Sequence, residues 1–141
     1  MKRNLIIAGV VILIFAVSIS LSNRQAVRQQ RRLEVRTRHI LIMTDRNDPV
    51  KTAQALEKAK ELRERILAGE DFAKLAKEYS QDAMSAPLGG DLGFVEADAF
   101  EKQYGEAVLF LEKGEVSDVV ETMYGYHIIQ LIERRGPVGE Q

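Results

Sequence analysis

The side chains best suited to acid–base chemistry are the two histidines, His39 and His127, and the loop carboxylates Asp82 and Asp91. Each histidine stands at the start of an apolar run rich in β-branched residues, which is typical of a buried strand. If these two strands pair, both imidazoles face one another over the sheet. The plainer interpretation is two half-buried histidines with local hydrogen bonds, and a lone loop Asp is usually a cap or a turn residue.

Several other kinds of chemistry have little support. The chain contains no Cys, which excludes a disulfide, a thiolate nucleophile and a Cys-ligated zinc. Two His and an Asp could ligate a metal, but no short His-to-His spacing supports that interpretation. A serine hydrolase would need a strained nucleophile turn such as G-x-S-x-G, which is absent. We therefore expect neither a metal nor a cofactor.

The charges are unevenly distributed along the chain. Residues 1–38 hold eight Lys and Arg against one acid, whereas residues 39–141 hold 12 basic and 20 acidic residues. Binding to nucleic-acid phosphates requires a basic face. The acidic globular part is therefore not expected to bind nucleic acid.

The amino-terminal segment Leu5–Leu21 has 17 residues without a charge and follows two basic residues. This length is at the lower edge for a membrane-spanning helix and long for the core of a signal peptide. We expect residues 1–22 to form a membrane anchor or a cleaved signal segment, followed by a basic linker over 23–35. The arginines of that linker, taken alone, would place the next domain in the cytoplasm by the positive-inside rule.

The remaining chain has the alternating patterns of an α+β domain over residues 36–135, with a short tail at 136–141. Asp48 and Pro49 are good residues for opening a helix, and Gly69 is typical of a helix end. The predicted elements follow the order β-α-α-β-α-β-β: a strand in "VRTRHILIM", a helix from Pro49, a helix from Phe72, a strand in "DLGFV", a helix over 98–111, and strands in "SDVVET" and "YHIIQLIERR". This order predicts a compact domain with an antiparallel sheet.

Four stretches of this part resemble the parvulin-type (PpiC-like) peptidyl-prolyl cis/trans isomerases. They are "RHILI", "AGEDFAKLAKEYSQDAMSAPLGGDLGF", "FLEKGEVSDVVET" and "YGYHIIQL", which occur in order across nearly the whole globular part. The resemblance implies a four-stranded, mostly antiparallel sheet flanked by about four helices, here preceded by one apolar transmembrane helix. In that family the "GGDLG" segment lets the chain turn tightly at the rim of the active site.

The resemblance also implies the roles of seven residues. The polar positions of the family's active site correspond to His39, Asp82, Thr122 and His127, and the proline pocket corresponds to Leu92, Phe100 and Tyr104. Phe100 stands where Met is commonest in the family, and Tyr104 where Phe is commonest, so the shape of the pocket differs from the usual pattern. The loop after the first strand has a single basic residue, Arg46, and we expect no preference for phosphorylated substrates.

The function implied by this resemblance is non-covalent isomerisation of X-Pro bonds, which assists the folding of exported proteins. The expected partners are unfolded or partly folded polypeptides, together with the membrane through Leu5–Leu21. The expected location is the inner membrane, with a single span and a periplasmic catalytic domain, or a secreted form if the segment is cleaved. The alternative is a membrane-tethered binding or chaperone module with a parvulin fold and little turnover.

Overall fold

The structure, a computed structural model, describes residues 33–136, which contain four strands and three α-helices. Two short 3₁₀ turns, Ala86–Leu88 and Ala97–Ala99, connect some of these elements. In chain order the elements are β1 (Glu34–Met43), α1 (Pro49–Leu67), α2 (Phe72–Tyr79), β2 (Asp91–Glu96), α3 (Lys102–Phe110), β3 (Val120–Glu121) and β4 (Gly125–Arg135).

The four strands form one sheet in the order β2-β1-β4-β3, and every pairing is antiparallel. The strands nearest the two ends of the domain, β1 and β4, are therefore the central pair. Within that pair Leu41 lies opposite His127 and His39 lies opposite Ile129. The predicted α+β fold with a four-stranded antiparallel sheet is confirmed.

Both faces of the sheet are covered by helices, as the period-two alternation of β1 and β4 requires. On one face, Ile40, Ile42 and Ile128 pack against α1 and α2. On the other face, Ile129 and Leu131 pack against α3. Because neighbouring residues on a strand point to opposite faces, His39 and His127 lie on the α3 face.

Side-chain caps fix the start of the first two helices. Asp48 accepts hydrogen bonds from the amides of Val50 and Lys51, both at 3.1 Å, and Pro49 occupies the first turn of α1. Asp71 caps α2 by accepting from the amide of Lys74 at 2.7 Å. These caps fix where α1 and α2 begin, and apolar packing holds both helices against the sheet.

The structure corrects several predicted boundaries. β1 begins at Glu34, so two residues expected in the basic linker belong to the sheet, where Val35 is fully buried and pairs with Val95. The helix predicted over 98–111 covers only Lys102–Phe110, because Phe100 has extended backbone angles. The strand predicted in "SDVVET" is reduced to Val120–Glu121.

The predicted number of helices also changes. Residues 33–136 contain three α-helices rather than about four, together with the two 3₁₀ turns. The predicted transmembrane segment Leu5–Leu21 lies outside the described residues. Within residues 33–136, no helix combines the length and apolar character needed to cross a bilayer.

The glycines of "GGDLGF" bring a loop onto the central strand. Gly90 has a φ of +83°, and its carbonyl accepts a hydrogen bond of 2.9 Å from the amide of His39. A Cβ at position 90 would lie 2.2 Å from the carbonyl oxygen of His39. Gly93 also has a positive φ, +68°, but a Cβ there would meet nothing within 4 Å. Gly90 is thus needed for close approach as well as for its backbone angle.

We predict that Gly90→Ala destabilises the fold far more than Gly93→Ala. Both changes strain a positive φ, which costs about 1 kcal/mol. Gly90→Ala adds a clash with backbone that cannot move aside, and should lower the free energy of unfolding by roughly 3 kcal/mol or more. Urea denaturation of the two variants measures the difference, and equal losses would contradict the close approach at Gly90.

Candidate active site

The two histidines meet on the α3 face of the sheet. Leu41 pairs with His127, and His39 stands two residues before Leu41 on the same face of β1. The two Nδ1 atoms lie 3.2 Å apart, and the ring centroids are separated by 5.2 Å. Both side chains are buried. The central pairing therefore places the two imidazoles in contact, which the sequence pattern allowed only on the condition that the two strands pair.

Asp82 contacts the other nitrogen of His39. Its Oδ2 lies 2.8 Å from His39 Nε2, and its Oδ1 accepts from the amide of Met84 at 3.2 Å. The hydroxyl of Ser85 donates to the same Oδ2 and lies 3.1 Å from His39 Nε2. The loop between α2 and β2 thus supplies a carboxylate that is held by two further groups of its own turn.

Thr122 lies at the other end of the histidine pair, immediately after β3. Its Oγ1 is 2.8 Å from His127 Nε2 and accepts from the amide of Tyr124 at 3.2 Å. The side chain is buried. All four polar residues predicted for the site, from Thr122 through both imidazoles to Asp82, are therefore joined in one chain of hydrogen bonds.

The partners fix the direction of this chain. A carboxylate only accepts, so His39 Nε2 carries a proton and, in the neutral ring, its Nδ1 accepts. His127 must then donate from Nδ1 and accept at Nε2 from the Thr122 hydroxyl, which itself accepts from a backbone amide. The tautomers assigned from this network are Nε2–H for His39 and Nδ1–H for His127.

Burial keeps the two imidazoles neutral. It lowers the pKa of His127 to about 4, with a further lowering from the charge of His39. Burial also lowers the pKa of His39, although the hydrogen bond and charge of Asp82 oppose it. For Asp82, burial acts to raise the pKa, but hydrogen bonds from Ser85 and His39 outweigh it and the pKa is lowered. At neutral pH the site holds one carboxylate and two neutral rings.

An apolar wall adjoins the polar chain. The ring of Tyr104 stacks on Phe100 with centroids 4.5 Å apart, and it makes T-shaped contacts with both imidazoles, at centroid distances of 5.9 and 5.5 Å. Leu92 packs in the same cluster. Tyr104 is itself buried, whereas Leu92 and Phe100 are partly exposed. The three residues predicted for the proline pocket therefore lie together, with Tyr104 behind the two that face solvent.

Two contributors to the site are absent from the sequence-based prediction. Ser85 bonds to both Asp82 and His39, and the hydroxyl of Thr37 lies 3.1 Å from that of Tyr104. Thr37 precedes His39 by two residues, so the strand alternation could have placed it on the same face. Ser85 gives only a weak signal, a serine three residues after a loop aspartate.

The serine and threonine hydroxyls of the site are buried and act as hydrogen-bond partners of Asp82 and His127. Among residues 33–136, no group of three or more His, Cys, Asp or Glu is placed to hold a metal ion. The site consists of an apolar wall beside a buried row of polar groups. Such a site can hold an apolar ring while it responds to a polar group attached to that ring.

The chain matches the family model of the PPIC-type PPIASE domain over residues 19–135. It therefore belongs to the PPIC-type, or parvulin, family, and its globular part is a peptidyl-prolyl cis/trans isomerase domain. The wall and hydrogen-bonded chain described above lie at the positions that the sequence resemblance assigned to that family's active site.

Among curated relatives, the chain is 44% identical over 101 residues to the foldase protein PrsA of Geobacillus kaustophilus, covering 72% of this chain and 32% of that protein. It is 45% identical over 102 residues to the chaperone SurA of Chromohalobacter salexigens, covering 72% of this chain and 23% of that protein. The chain thus spans only about a third or less of the length of these relatives.

Solved structures of isomerases of this family superpose on the chain. Peptidylprolyl isomerase PrsA of Bacillus anthracis superposes with a TM-score of 0.66 at 31% identity, over 80% of this chain and 47% of that one. NmPin, the parvulin of Nitrosopumilus maritimus, gives 0.57 at 32% identity, over 71% of this chain and 96% of that one. A PpiC-type isomerase domain gives 0.69 at 23% identity, over 77% and 96%, which shows the shared fold.

We predict that the domain loses stability as the pH falls from about 6.5 to 4. His127 has a pKa of about 4 when folded and an ordinary value of 6.5, so the unfolded chain binds more protons in this range. Its contribution is complete above pH 6.5 and is lost on acidification, by up to roughly 3 kcal/mol. Urea denaturation at a series of pH values measures this slope.

The matched variant is His127→Gln. The glutamine amide can hydrogen-bond in place of the imidazole but does not titrate in this range. Its free energy of unfolding is lower at neutral pH but should depend less steeply on pH between 6.5 and 4. A slope equal to that of the wild-type protein would contradict the assignment of His127 as a buried neutral imidazole.

Proposed function

We propose that this chain catalyses cis/trans isomerisation of X-Pro bonds in unfolded or partly folded polypeptides, without a covalent intermediate. The observation that carries the proposal is the direct contact between the apolar wall and the polar chain, made by Tyr104 against both imidazoles. A proline ring on Leu92 and Phe100 would place its amide beside the buried histidines. The relatives named foldase and chaperone support polypeptide substrates.

The reaction requires binding rather than bond-making chemistry. Rotation about the X-Pro bond has a barrier of roughly 18–20 kcal/mol because the amide is conjugated, and takes roughly 10–100 s without a catalyst. A catalyst must bind the twisted amide more tightly than either planar form. The wall fixes the proline ring on one side of the bond, and the polar chain responds as the carbonyl swings and the nitrogen becomes pyramidal. No cofactor takes part in these steps.

Asp82 has an electrostatic role in this proposal. Its charge and hydrogen bond hold the proton of His39 on Nε2 and leave the lone pair of Nδ1 directed at His127. Removing that charge would weaken the whole row of hydrogen bonds without removing any part of the apolar wall. Asp82 therefore separates the electrostatic contribution of the site from proline binding.

We predict that Asp82→Asn lowers kcat for an Ala-Pro peptide at least tenfold, equivalent to about 1.4 kcal/mol of transition-state stabilisation. The change keeps the shape and one acceptor oxygen but removes the charge. The measurement is exchange between cis and trans peptide by NMR. Asp118→Asn is the matched control, because Asp118 is exposed and forms an ion pair with Arg63. Full turnover in Asp82→Asn would remove the charge from the mechanism.

The same assay on the wild-type chain separates the isomerase from a binding module with little turnover. An isomerase accelerates exchange of a short Ala-Pro peptide at catalytic concentrations of protein. A binding module broadens or shifts the peptide signals through binding, but leaves the rate of exchange between isomers unchanged.

We further propose that the domain lies outside the cytoplasm, tethered by Leu5–Leu21 with the amino end inside. A short tail with Lys2 and Arg3 before the apolar run has the form of the n-region of an export signal. A periplasmic face is where a foldase meets newly translocated chains. If the segment is cleaved, the same domain is released as a secreted form.

Protease treatment of intact spheroplasts tests this topology, with an epitope tag at the carboxyl terminus of the chain. We expect the tag to be degraded in intact spheroplasts, because the domain is exposed at the outer face of the membrane. A control with broken membranes shows that the protein is cleavable once exposed. Survival of the tag until the membrane is broken would place the domain in the cytoplasm.

A further inference from the structure

The described residues contain three methionines, and all three are exposed. Met43, Met84 and Met123 have exposed fractions of 50%, 86% and 65%. Methionine is one of the residues most often buried in folded proteins. Their common exposure in so small a domain points to a function for the three side chains at the surface.

Two of these methionines border the polar chain where β1 ends. Met43 lies on the same face of β1 as His39, four residues further on, and pairs with Gly125 of β4. Met123 directly follows Thr122 in the turn between β3 and β4, and this turn reaches the end of β1 through a hydrogen bond from the amide of Thr44. Both side chains therefore stand near the Thr122 end of the site.

The third methionine borders the opposite end of the polar chain. The amide of Met84 donates to Asp82, so its side chain projects from the turn that carries the carboxylate. The same loop is tied to the end of β1, because Gln81 Oε1 accepts from the amide of Met43 at 2.6 Å. Met43, Met84 and Met123 thus form a set at the edge of the active site, which we call the methionine rim.

The charges beside the rim do not favour a charged partner. An open cleft runs from Met123 and Thr122 past the start of α3, and its charged side chains are two basic and two acidic: Arg46, Lys102, Glu101 and Glu121. Opposite charges in equal number select neither a phosphate nor a polybasic segment. The exposed apolar side chains, which are the three thioethers and Tyr124 beside Met123, are a feature that can distinguish one polypeptide from another.

We propose that the methionine rim binds apolar side chains of a client polypeptide on either side of the proline held at Leu92 and Phe100. The inference rests on the proposed isomerase function, because the rim can select flanking residues only in a chain whose proline is held at Leu92 and Phe100. Methionine side chains are flexible and polarizable and adapt to partners of different shape. The rim gives preference for apolar flanking residues without requiring one sequence.

The test compares two peptides with one central Ala-Pro unit, one flanked by Leu and Phe and the other by Gln. The full chain is expected to bind the apolar peptide with a Kd about tenfold lower, since several partly exposed apolar groups become buried. The triple variant Met43→Gln, Met84→Gln, Met123→Gln should bring the ratio of the two Kd values close to one. Fluorescence anisotropy measures both Kd values.

The matched control replaces the same three methionines by Leu, which keeps the apolar surface and removes the sulfur. This variant should retain the preference for the apolar peptide. A wild-type ratio near one, or an unchanged ratio in the triple Gln variant, would overturn the proposal. Absence of cis/trans exchange catalysis with both peptides would instead contradict the proposed function, and the anisotropy comparison would still decide for or against the rim.

Oxidation provides a second measurement on the wild-type chain. Hydrogen peroxide transfers one oxygen atom to each thioether sulfur and leaves as water, so that the apolar side chains become polar sulfoxides. Treatment should bring the Kd values of the wild-type protein for the two peptides closer together. It should leave the difference unchanged in the triple Leu variant. An equal loss in both proteins would show that the effect arises away from the rim and would count against the proposal.

Discussion

Leu41 lies opposite His127 across the two central strands, and the position of every polar group in the site depends on this register. Because side chains alternate between the faces of a strand, a slip of one residue would move one imidazole to the α1 and α2 face. The register itself is fixed by burial, since Ile40 and Ile128 must lie in the other core. The same apolar packing that stabilises the fold therefore also brings the two histidines together.

Tyr104 connects the two halves of the site. Its hydroxyl is hydrogen-bonded to that of Thr37, its ring stacks on Phe100, and it makes T-shaped contacts with both imidazoles. Burial raises its pKa, so the phenol remains protonated and keeps this hydrogen bond over the whole physiological range. A residue that the sequence suggested as part of a pocket thus also holds the wall in a fixed orientation beside the polar chain.

The sequence predicts the parts of this fold that follow a regular period. The alternation in β1 and β4 places both histidines on one face once the two strands pair in this register, and Asp48 with Pro49 is sufficient to start α1. Boundaries set by irregular backbone are not predictable in this way. β3 covers only Val120–Glu121. Val116 also bridges to β4, but the residues between Val116 and β3 are not part of a strand.

In the site, too, residues that follow a local sequence pattern are predictable, and residues that depend on tertiary contacts are not. The family resemblance assigned seven residues, and the structure brings them together, but their catalytic roles remain proposals. Ser85 was missed because its importance comes from the fold of its own loop, which turns its hydroxyl back to Asp82. Among the described residues, no buried side-chain nitrogen or oxygen lacks a partner. Such complete pairing depends on three-dimensional contacts that spacing alone does not reveal.

The row of hydrogen bonds from Tyr124 to Asp82 begins at a group that can only donate and ends at one that can only accept. Its dipoles are therefore pinned at both ends, and they all point the same way. Reversing one tautomer would leave two donors or two acceptors facing each other somewhere along the row. Because the backbone amide of Tyr124 does not give up its proton, the row cannot pass a proton from end to end as a relay. Its aligned dipoles instead produce a fixed electric field in the site. This field is set when the protein folds and is the same for each substrate.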